Sequence, residues 1–591
     1  MIVENWLNEF ETSLKKQDIQ STLKLFSDEC FWRDLVSFTW NVKTMEGREQ
    51  IAKMLGTTLP VIKPRNWRLE GKPTVSAGII EAWFTFETET ARGRGILRLK
   101  DGSAWTILTT MTELKNHEEK KGSARILGTK HNSYGMQKNW LERRQDEEKS
   151  LGYEQQPYCV IIGGGQGGIA LGARLKRLGV PTIIVERNPR AGDSWRNRYR
   201  SLVLHDPVWY DHLPYLPFPD DWPVFTPKDK LGDWLEMYTK VMELNYWGAT
   251  ECKKASFDEA AQEWTVDVIR DGKPVTLRPK QLIFATGAYG PPNEIELPGI
   301  ENFAGEHYHS SKYQSGTKYK GKNCIVIGSN SSAHDICADL WDYGANVTMI
   351  QRSSTHVVKS ETLMEMAFKD LYSEKAVERG ISTEKADLIF SSTPFAIMHR
   401  SQIDLYNKIR KKDAKFYKSL VKTGFKLDFG DDESGLMMKA LRSGTGYYID
   451  VGASSLMIDG KIDIKSGVTI KQIKERTVVF SDDTELPVDL IVSATGYRSM
   501  NGWVEKLVSK DMADKVGKCW GLGSDTAKDP GPWEGEPRNM WKPTQQAGLW
   551  FHGGNLHLSR HYSHFVALQL KARMENLPTP VYGLQEVHHK S

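Results

Sequence analysis

Along Val3 to Lys16 the apolar residues Trp6, Leu7, Phe10 and Leu14 recur at helical spacing, and a second short helix is predicted from Ile19 to Leu25. The period then shortens to two. Ile79 to Glu87 alternates apolar and polar residues, and Gly95 to Leu114 reads as two more strands folded at the turn dipeptide Asp101-Gly102. Helices followed by long antiparallel strands predict a small α+β domain with a curved sheet over residues 1–130. The charged, apolar-poor stretch LERRQDEEKSLG (Leu141 to Gly152) marks a linker or exposed helix within 131–154.

From Tyr158 the texture becomes β-turn-α-β. CVIIGGGQGGIALGARLKRLG is a short apolar strand, a glycine turn and a helix, and PTIIVER is a second strand. The same order returns in NCIVIGSNSSAHDICADLWDYG followed by NVTMIQR. The fold class expected is α/β: two Rossmann-like dinucleotide-binding domains preceded by the small α+β unit. The first spans 155–300 and is completed by 481–591; the second spans 301–480, with a charged, helical insertion near 360–443. The basic run RKKDAKFYKSLVK within that insertion reads as a solvated helix face.

The first turn carries Gly163, Gly165 and Gly168 as G-x-G-x-x-G, with Gly167 beside them. The first glycine permits the tight turn, the second lets backbone approach a pyrophosphate, and the third lets helix and strand pack closely. The helix start then offers free N–H groups and a partial positive charge to phosphate. Glu186 closes the following strand, where a carboxylate accepts from ribose hydroxyls, so FAD or NAD would fit this site. The second turn keeps Gly328 but has Asn330 and Ala333 at the other two glycine positions, with Ser329, Ser331 and Ser332 available to phosphate. Asparagine tolerates left-handed backbone better than most residues, which is the expected reason for Asn330. Arg352 stands where Glu186 stands in the first unit. An arginine there pairs with a 2′-phosphate that a carboxylate would repel, so this site is predicted to take NADPH.

Bulk properties narrow the class. The chain has 591 residues, too many for one core, and its 79 basic and 75 acidic residues leave a net charge of +4. Nothing in that balance favours nucleic acid as a partner. The start, MIVENWLNEFETSLKK, lacks the pattern of a signal peptide, and no window approaches the length of a membrane span. Six scattered cysteines with no CxxC pair argue against dithiol chemistry and for reduced thiols in a cytoplasmic protein.

The remaining motifs resemble those of the class B flavin-dependent monooxygenases, in particular the flavin-containing monooxygenases. Phe303, Gly305, His309 and Tyr313 within FAGEHYHSSKY are similar to that family's identifying signature between its two loops. Gly192, Ser194 and Trp195, then RNRYRSLVLHDP, resemble the flavin-side segment. FATG (Phe284 to Gly287) and SATGY (Ser493 to Tyr497) resemble the two domain crossings, and GLWFHGGN (Gly548 to Asn555) the strand and turn that close over the flavin. The resemblance implies FAD held also by Ser194, Trp195, His205, Thr286, Gly287, Gly553 and Asn555, and NADPH held also by Thr495 and Gly496. It further implies O2 as co-substrate, a C4a-(hydro)peroxyflavin as oxidant, and one oxygen atom passed to a small molecule.

Within that family, Tyr313-Gln314 occupies the place where Baeyer–Villiger enzymes carry Trp-Pro, which points to the flavin-containing branch. His205 falls where that branch has an asparagine facing the flavin. Leu204-His205 followed by LPYLPFP is closer to the plant auxin-forming members, which decarboxylate indole-3-pyruvate. His205 and His309 are the candidate catalytic residues, His205 either in the chemistry or hydrogen-bonded behind the flavin, and His309 tying the hinge on the NADPH side. Arg560 and Tyr562 are expected at the substrate mouth, and His552, His557, His561 and His564 are not expected to hold a metal. The N-terminal unit resembles the NTF2-like (SnoaL-like) domain by element order, with oligomerisation (a homodimer) or lid duty as its expected role. A flavin reductase, a ketone-oxidising enzyme and a binding scaffold remain the alternatives.

Overall fold

The computed structural model describes residues 1–129, 131, 135, 137–287 and 290–590. Part of the expected linker therefore lies outside the described residues, and its charged stretch forms a capped helix, Trp140–Ser150, on the domain that follows.

The N-terminal unit is a six-stranded sheet in the order Val42–Glu46, Phe26–Leu35, Ser103–Leu114, Ala91–Lys100, Ile79–Glu87, Arg65–Ser76. Phe26–Leu35 and Ser103–Leu114 pair parallel; the other pairs are antiparallel. Helix Ile2–Lys15 buries Trp6, Leu7, Phe10 and Leu14 against the sheet. A third helix, Gly47–Ile62, interrupts the expected order of helices then strands. The interior is filled by rings: Phe10 lies 4.9 Å from Trp67, which stacks on Phe86 at 4.7 Å, and Trp32 meets Phe38 at 5.0 Å. Gly93 is required by that packing, because a Cβ there would lie 2.2 Å from the Phe86 ring.

Two five-stranded parallel sheets follow. The first runs Leu549–Phe551, Gln281–Phe284, Cys159–Ile162, Thr182–Val185, Tyr246–Trp247, so the last strand of the chain completes the first dinucleotide domain. The second runs Glu306–His309, Leu490–Ser493, Asn323–Ile327, Asn346–Gln351, Asp463–Ser466. Cys159–Ile162 in the first sheet and Leu490–Ser493 in the second are buried along their whole length, as inner strands of a parallel sheet covered on both faces are. The insertion is not wholly helical: Leu427–Asp428 pairs with Thr355–Lys359, which also pairs with Tyr447–Asp450. The long helix Leu556–Met574 packs beside Gln166–Arg177, the first phosphate-loop helix, and both start on the same side of the sheet.

Candidate active site

The first loop is built by contact between its own ends. Gly163 has φ 108°, and a Cβ on it would lie 2.3 Å from the Ala285 carbonyl oxygen. A Cβ on Gly168 would lie 2.0 Å from the carbonyl oxygen of Gly163 itself, so the third glycine lets the helix settle onto the turn. Gly165, the N-cap, is extended, and its missing side chain leaves the loop open beside Ser194. A Cβ on Gly167 would come within 3.1 Å of Gly553 Cα, which brings the closing turn directly over the helix start. Glu186 is buried and accepts from the Gly164 N–H at 2.8 Å and from the Asn188 backbone and side-chain N–H groups at 2.8 and 2.7 Å. It braces the loop from the end of strand Thr182–Val185. Trp195 donates to Gln166, which donates to the Gly554 carbonyl, tying the flavin-side segment to the closing turn. Thr286 Oγ1 is buried with no hydrogen-bond partner among the described residues, and Asn555 caps Leu556–Met574 by accepting from the Leu558 N–H. A buried orphan hydroxyl beside Gly287, open helix starts and a side-chain-free cradle fit a bound dinucleotide such as FAD.

The second loop repeats the first with one correction. Gly328 has φ 125°, and a Cβ there would lie 2.3 Å from the Ala494 carbonyl oxygen. Asn330 has φ −95° and ψ −173°, extended like Gly165, so tolerance of left-handed backbone is not why it is accepted. Its side-chain Oδ1 instead faces Thr355 Oγ1 at 3.5 Å, which Ser329 Oγ also meets at 2.7 Å, while its backbone carbonyl oxygen lies 3.1 Å from His334 Nδ1. Ser331 donates to the Tyr447 carbonyl at 3.3 Å; Ser332 follows it in the first turn of helix Ser331–Asp342, and Ala333 is buried beneath. Arg352 is exposed at the end of Asn346–Gln351. Lys528 stands within electrostatic reach of it, and a Cβ on Gly446 would be 3.6 Å from the ammonium groups of both Lys528 and Lys439. Neither lysine was legible as part of this site, since Lys439, on helix Gly435–Ser443, and Lys528 are both distant from it in sequence.

The two domains meet at the crossings. His309 Nδ1 accepts from the Ser311 N–H at 3.1 Å, which leaves Nε2–H to donate to the Gly496 carbonyl at 3.0 Å. Burial lowers its pKa, so it stands here as a neutral tie. Thr495 donates to the Asn293 carbonyl at 2.6 Å, and the Asn293 N–H donates to Gly496 at 2.9 Å. Tyr313 is buried and donates to Asp339 at 2.6 Å, while Gln314 bonds back to the flavin-side segment at Asn197 and Arg200. His205 meets the helix of the second loop. Its Nε2 lies 3.5 Å from Asp335 on helix Ser331–Asp342, and Asp335 also accepts from Tyr199 at 2.6 Å. Burial opposes protonation of His205, but Asp335 outweighs it and the pKa rises.

Arg560 and Tyr562 do not line an open mouth. Arg560 is buried and bidentate to Asp387 at 2.8 and 2.9 Å, and it donates to the Tyr210 and His212 carbonyls. Asp387 also accepts from Tyr372 at 2.9 Å and lies 3.2 Å from His557. Burial alone would raise Asp387, yet Arg560 and His557 hold its carboxyl well below the usual range. Tyr562 stacks on Trp541 at 3.8 Å. Of the four C-terminal histidines, His557 is taken by Asp387, His561 by Ser391 at 2.8 Å, and His552 and His564 are buried or half-buried elsewhere. Among the described residues no three His, Cys, Asp or Glu side chains group as a metal site would, and the six cysteines are buried and unpaired.

Residues 160–442 match the family described as pyridine nucleotide-disulphide oxidoreductase. The chain is 32% identical over 346 residues to indole-3-pyruvate monooxygenase YUCCA1 of Oryza sativa subsp. japonica, covering 58% of this chain and 77% of that protein. It is 28% identical over 389 residues to probable indole-3-pyruvate monooxygenase YUCCA10 of Arabidopsis thaliana, covering 65% and 90%. Among solved structures, cyclohexanone monooxygenase bound to ε-caprolactone aligns with a TM-score of 0.51 at 18% identity, over 71% of this chain and 88% of that one, a likeness of fold. With a glycine loop on each of its two parallel sheets, and a relative at 32% identity of which the chain covers 77%, the chain belongs to the class B flavin-dependent monooxygenases, the flavin-containing monooxygenase family, oxidoreductases that use FAD, NADPH and O2.

Proposed function

We propose that this enzyme transfers one oxygen atom from O2 to a small organic substrate, with FAD in the Gly163 loop and NADPH in the Gly328 loop. The substrate is a soft nucleophile, an amine or sulfide, or an aryl pyruvate of the indole-3-pyruvate type. The observation that carries this reading is the pairing of loops of opposite preference, Glu186 behind one and the exposed Arg352 with Lys528 behind the other. FAD supplies the redox and oxygen chemistry when bound. Gly553 and Asn555, beside the start of the loop helix, would help to hold it, while Glu186 braces the loop and His309 and Gly496 keep the two domains in register. Tyr313-Gln314, locked to Asp339 and Asn197, supports the flavin-containing branch over ketone oxidation. The indole-3-pyruvate monooxygenases among its relatives support the aryl pyruvate.

The test is a panel of amines, sulfides, ketones and indole-3-pyruvate under 18O2, following NADPH consumption, hydrogen peroxide and labelled product. One labelled oxygen per NADPH with an amine, a sulfide or an aryl pyruvate is expected. NADPH consumption that ends wholly in peroxide across the panel overturns the reading, and labelled lactone or ester alone reassigns it to ketones. We further infer a cytoplasmic homodimer, checked by light scattering for mass and by fractionation. Among the described residues no helix is long and apolar enough to cross a membrane.

A further inference from the structure

The N-terminal domain lies outside the stretch matched by the family, and rings fill its interior. Its one buried acid on the inner strand, Asp34, is consumed by the turn it closes: it accepts from the Phe38 and Thr39 N–H groups and from the Thr39 and Thr109 hydroxyls. What this domain offers the rest of the chain is its outer face, and that face carries a buried charge. Arg33 on strand Phe26–Leu35 is wholly buried against Glu536, also wholly buried, with N–O distances of 2.6 and 2.8 Å. Its remaining donors reach the Ser391 carbonyl at 2.8 Å and the Tyr562 hydroxyl at 3.0 Å, and its guanidinium lies 4.4 Å from the centre of the Phe395 ring. Arg98, two strands away on Ala91–Lys100, takes the carbonyl and hydroxyl of Ser392 at 3.0 and 2.6 Å. The C-terminal tail returns over the same domain, with the Tyr582 N–H on the Thr39 carbonyl and Asn41 on the Tyr582 and Gly583 carbonyls.

The two arginines therefore grip one corner, the end of helix Thr383–Ser391. That helix carries Asp387, which holds Arg560, His557 and Tyr372, while Ser391 holds His561. Three of those partners lie on the first turns of Leu556–Met574, whose cap Asn555 would stand over the flavin, and His557 stacks on Tyr210 at 4.4 Å. We propose that the N-terminal domain is a fixed clamp for the flavin-facing end of the C-terminal helix, with Arg33 as the positioning residue. Ion pairing, and not a second active site, is what the domain contributes to turnover. The inference uses the monooxygenase reading only for where the flavin sits.

The test uses the full-length holoenzyme. Arg33→Met leaves Glu536 charged and buried, which endangers folding, so it is compared with the double variant Arg33→Met/Glu536→Met, which removes both charges. The double variant is expected to keep the parent's melting temperature, flavin content and KM for NADPH. Its kcat for labelled product should fall about ten- to a hundredfold, with the missing NADPH recovered as peroxide. A double variant that melts like the parent and couples like the parent overturns the clamp and leaves Arg33 a stability residue. A double variant that loses flavin, or whose KM for NADPH rises in step, also overturns it, since the domain would then support cofactor binding generally. If the parent makes only peroxide, the oxygenation reading fails, and the clamp is read instead from flavin fluorescence anisotropy, expected to drop in the double variant and overturned if unchanged.

Discussion

Gly168→Ala tests the flavin loop most directly, because it adds one methyl group at a position where no surface property changes. The new Cβ would lie 2.0 Å from the Gly163 carbonyl oxygen, 3.2 Å from the Gly163 carbonyl carbon and 3.3 Å from Ile161 Cγ2. Relief needs a movement of about 1 Å between helix and turn in an interior packed as densely as a crystal. Neither side is free to give. Gly163 is itself pressed against Ala285, and the helix buries Gly167, Ile169, Ala170 and Leu171. Overpacking of this kind costs about 1–3 kcal/mol, and because the strained element is the phosphate cradle the cost falls on FAD retention, about five- to a hundredfold. The ratio of flavin absorbance to protein absorbance after desalting should drop, and the holoenzyme melting temperature with it. Ala333→Gly is the control: the equivalent position of the second loop already seats a methyl group, buried at 1% exposure, and removing it should leave FAD content unchanged. If Gly168→Ala holds a full complement of FAD and melts with the parent, the close-approach argument is wrong.

Three further outcomes follow from the second domain and the crossings. Arg352→Ala should cost about 1.5–3 kcal/mol of NADPH binding with little effect on NADH, so the ratio of their kcat/KM values should fall about ten- to a hundredfold; an unchanged ratio would assign the 2′-phosphate to other residues. His309→Ala removes the donor to the Gly496 carbonyl and should slow flavin reduction by NADPH much more than it weakens FAD binding; loss of FAD first would place His309 on the flavin side. The His205–Asp335 pair raises the folded pKa of His205, so its stabilisation is complete below the ordinary histidine value of 6.5 and is lost as pH rises through the raised value. Urea midpoints compared between pH 6 and pH 9 should therefore fall more in the parent than in Asp335→Asn, and equal falls would show that the pair does not couple to folding.

What was legible in the chain depended on how far apart the partners lie. Gly163 to Glu186 is a local unit: strand, turn, helix and acid follow one another, so spacing alone indicates the chemistry. The third helix, Gly47–Ile62, was missed although Ile51, Met54, Leu55, Leu59 and Ile62 keep helical spacing, because Thr57, Thr58 and Pro60 weaken the local signal and only packing on the sheet restores it. Asn330 was placed correctly in the loop and explained by the wrong backbone conformation, since a residue name does not reveal φ. His309 and Gly496 stand 187 residues apart, and only the resemblance of two motifs brought them together on paper. Asp387 had no such help. It sits in a charged insertion, 173 residues from Arg560, and nothing near it distinguishes it from the solvated acids around it. Arg33 and Glu536 are separated by 503 residues, and each alone reads as a surface charge. Cofactor loops are short-range and therefore readable. The lock between the domains is assembled from long-range buried charges, and for that reason the same chain that announces its cofactor loops says little about how its parts are held together.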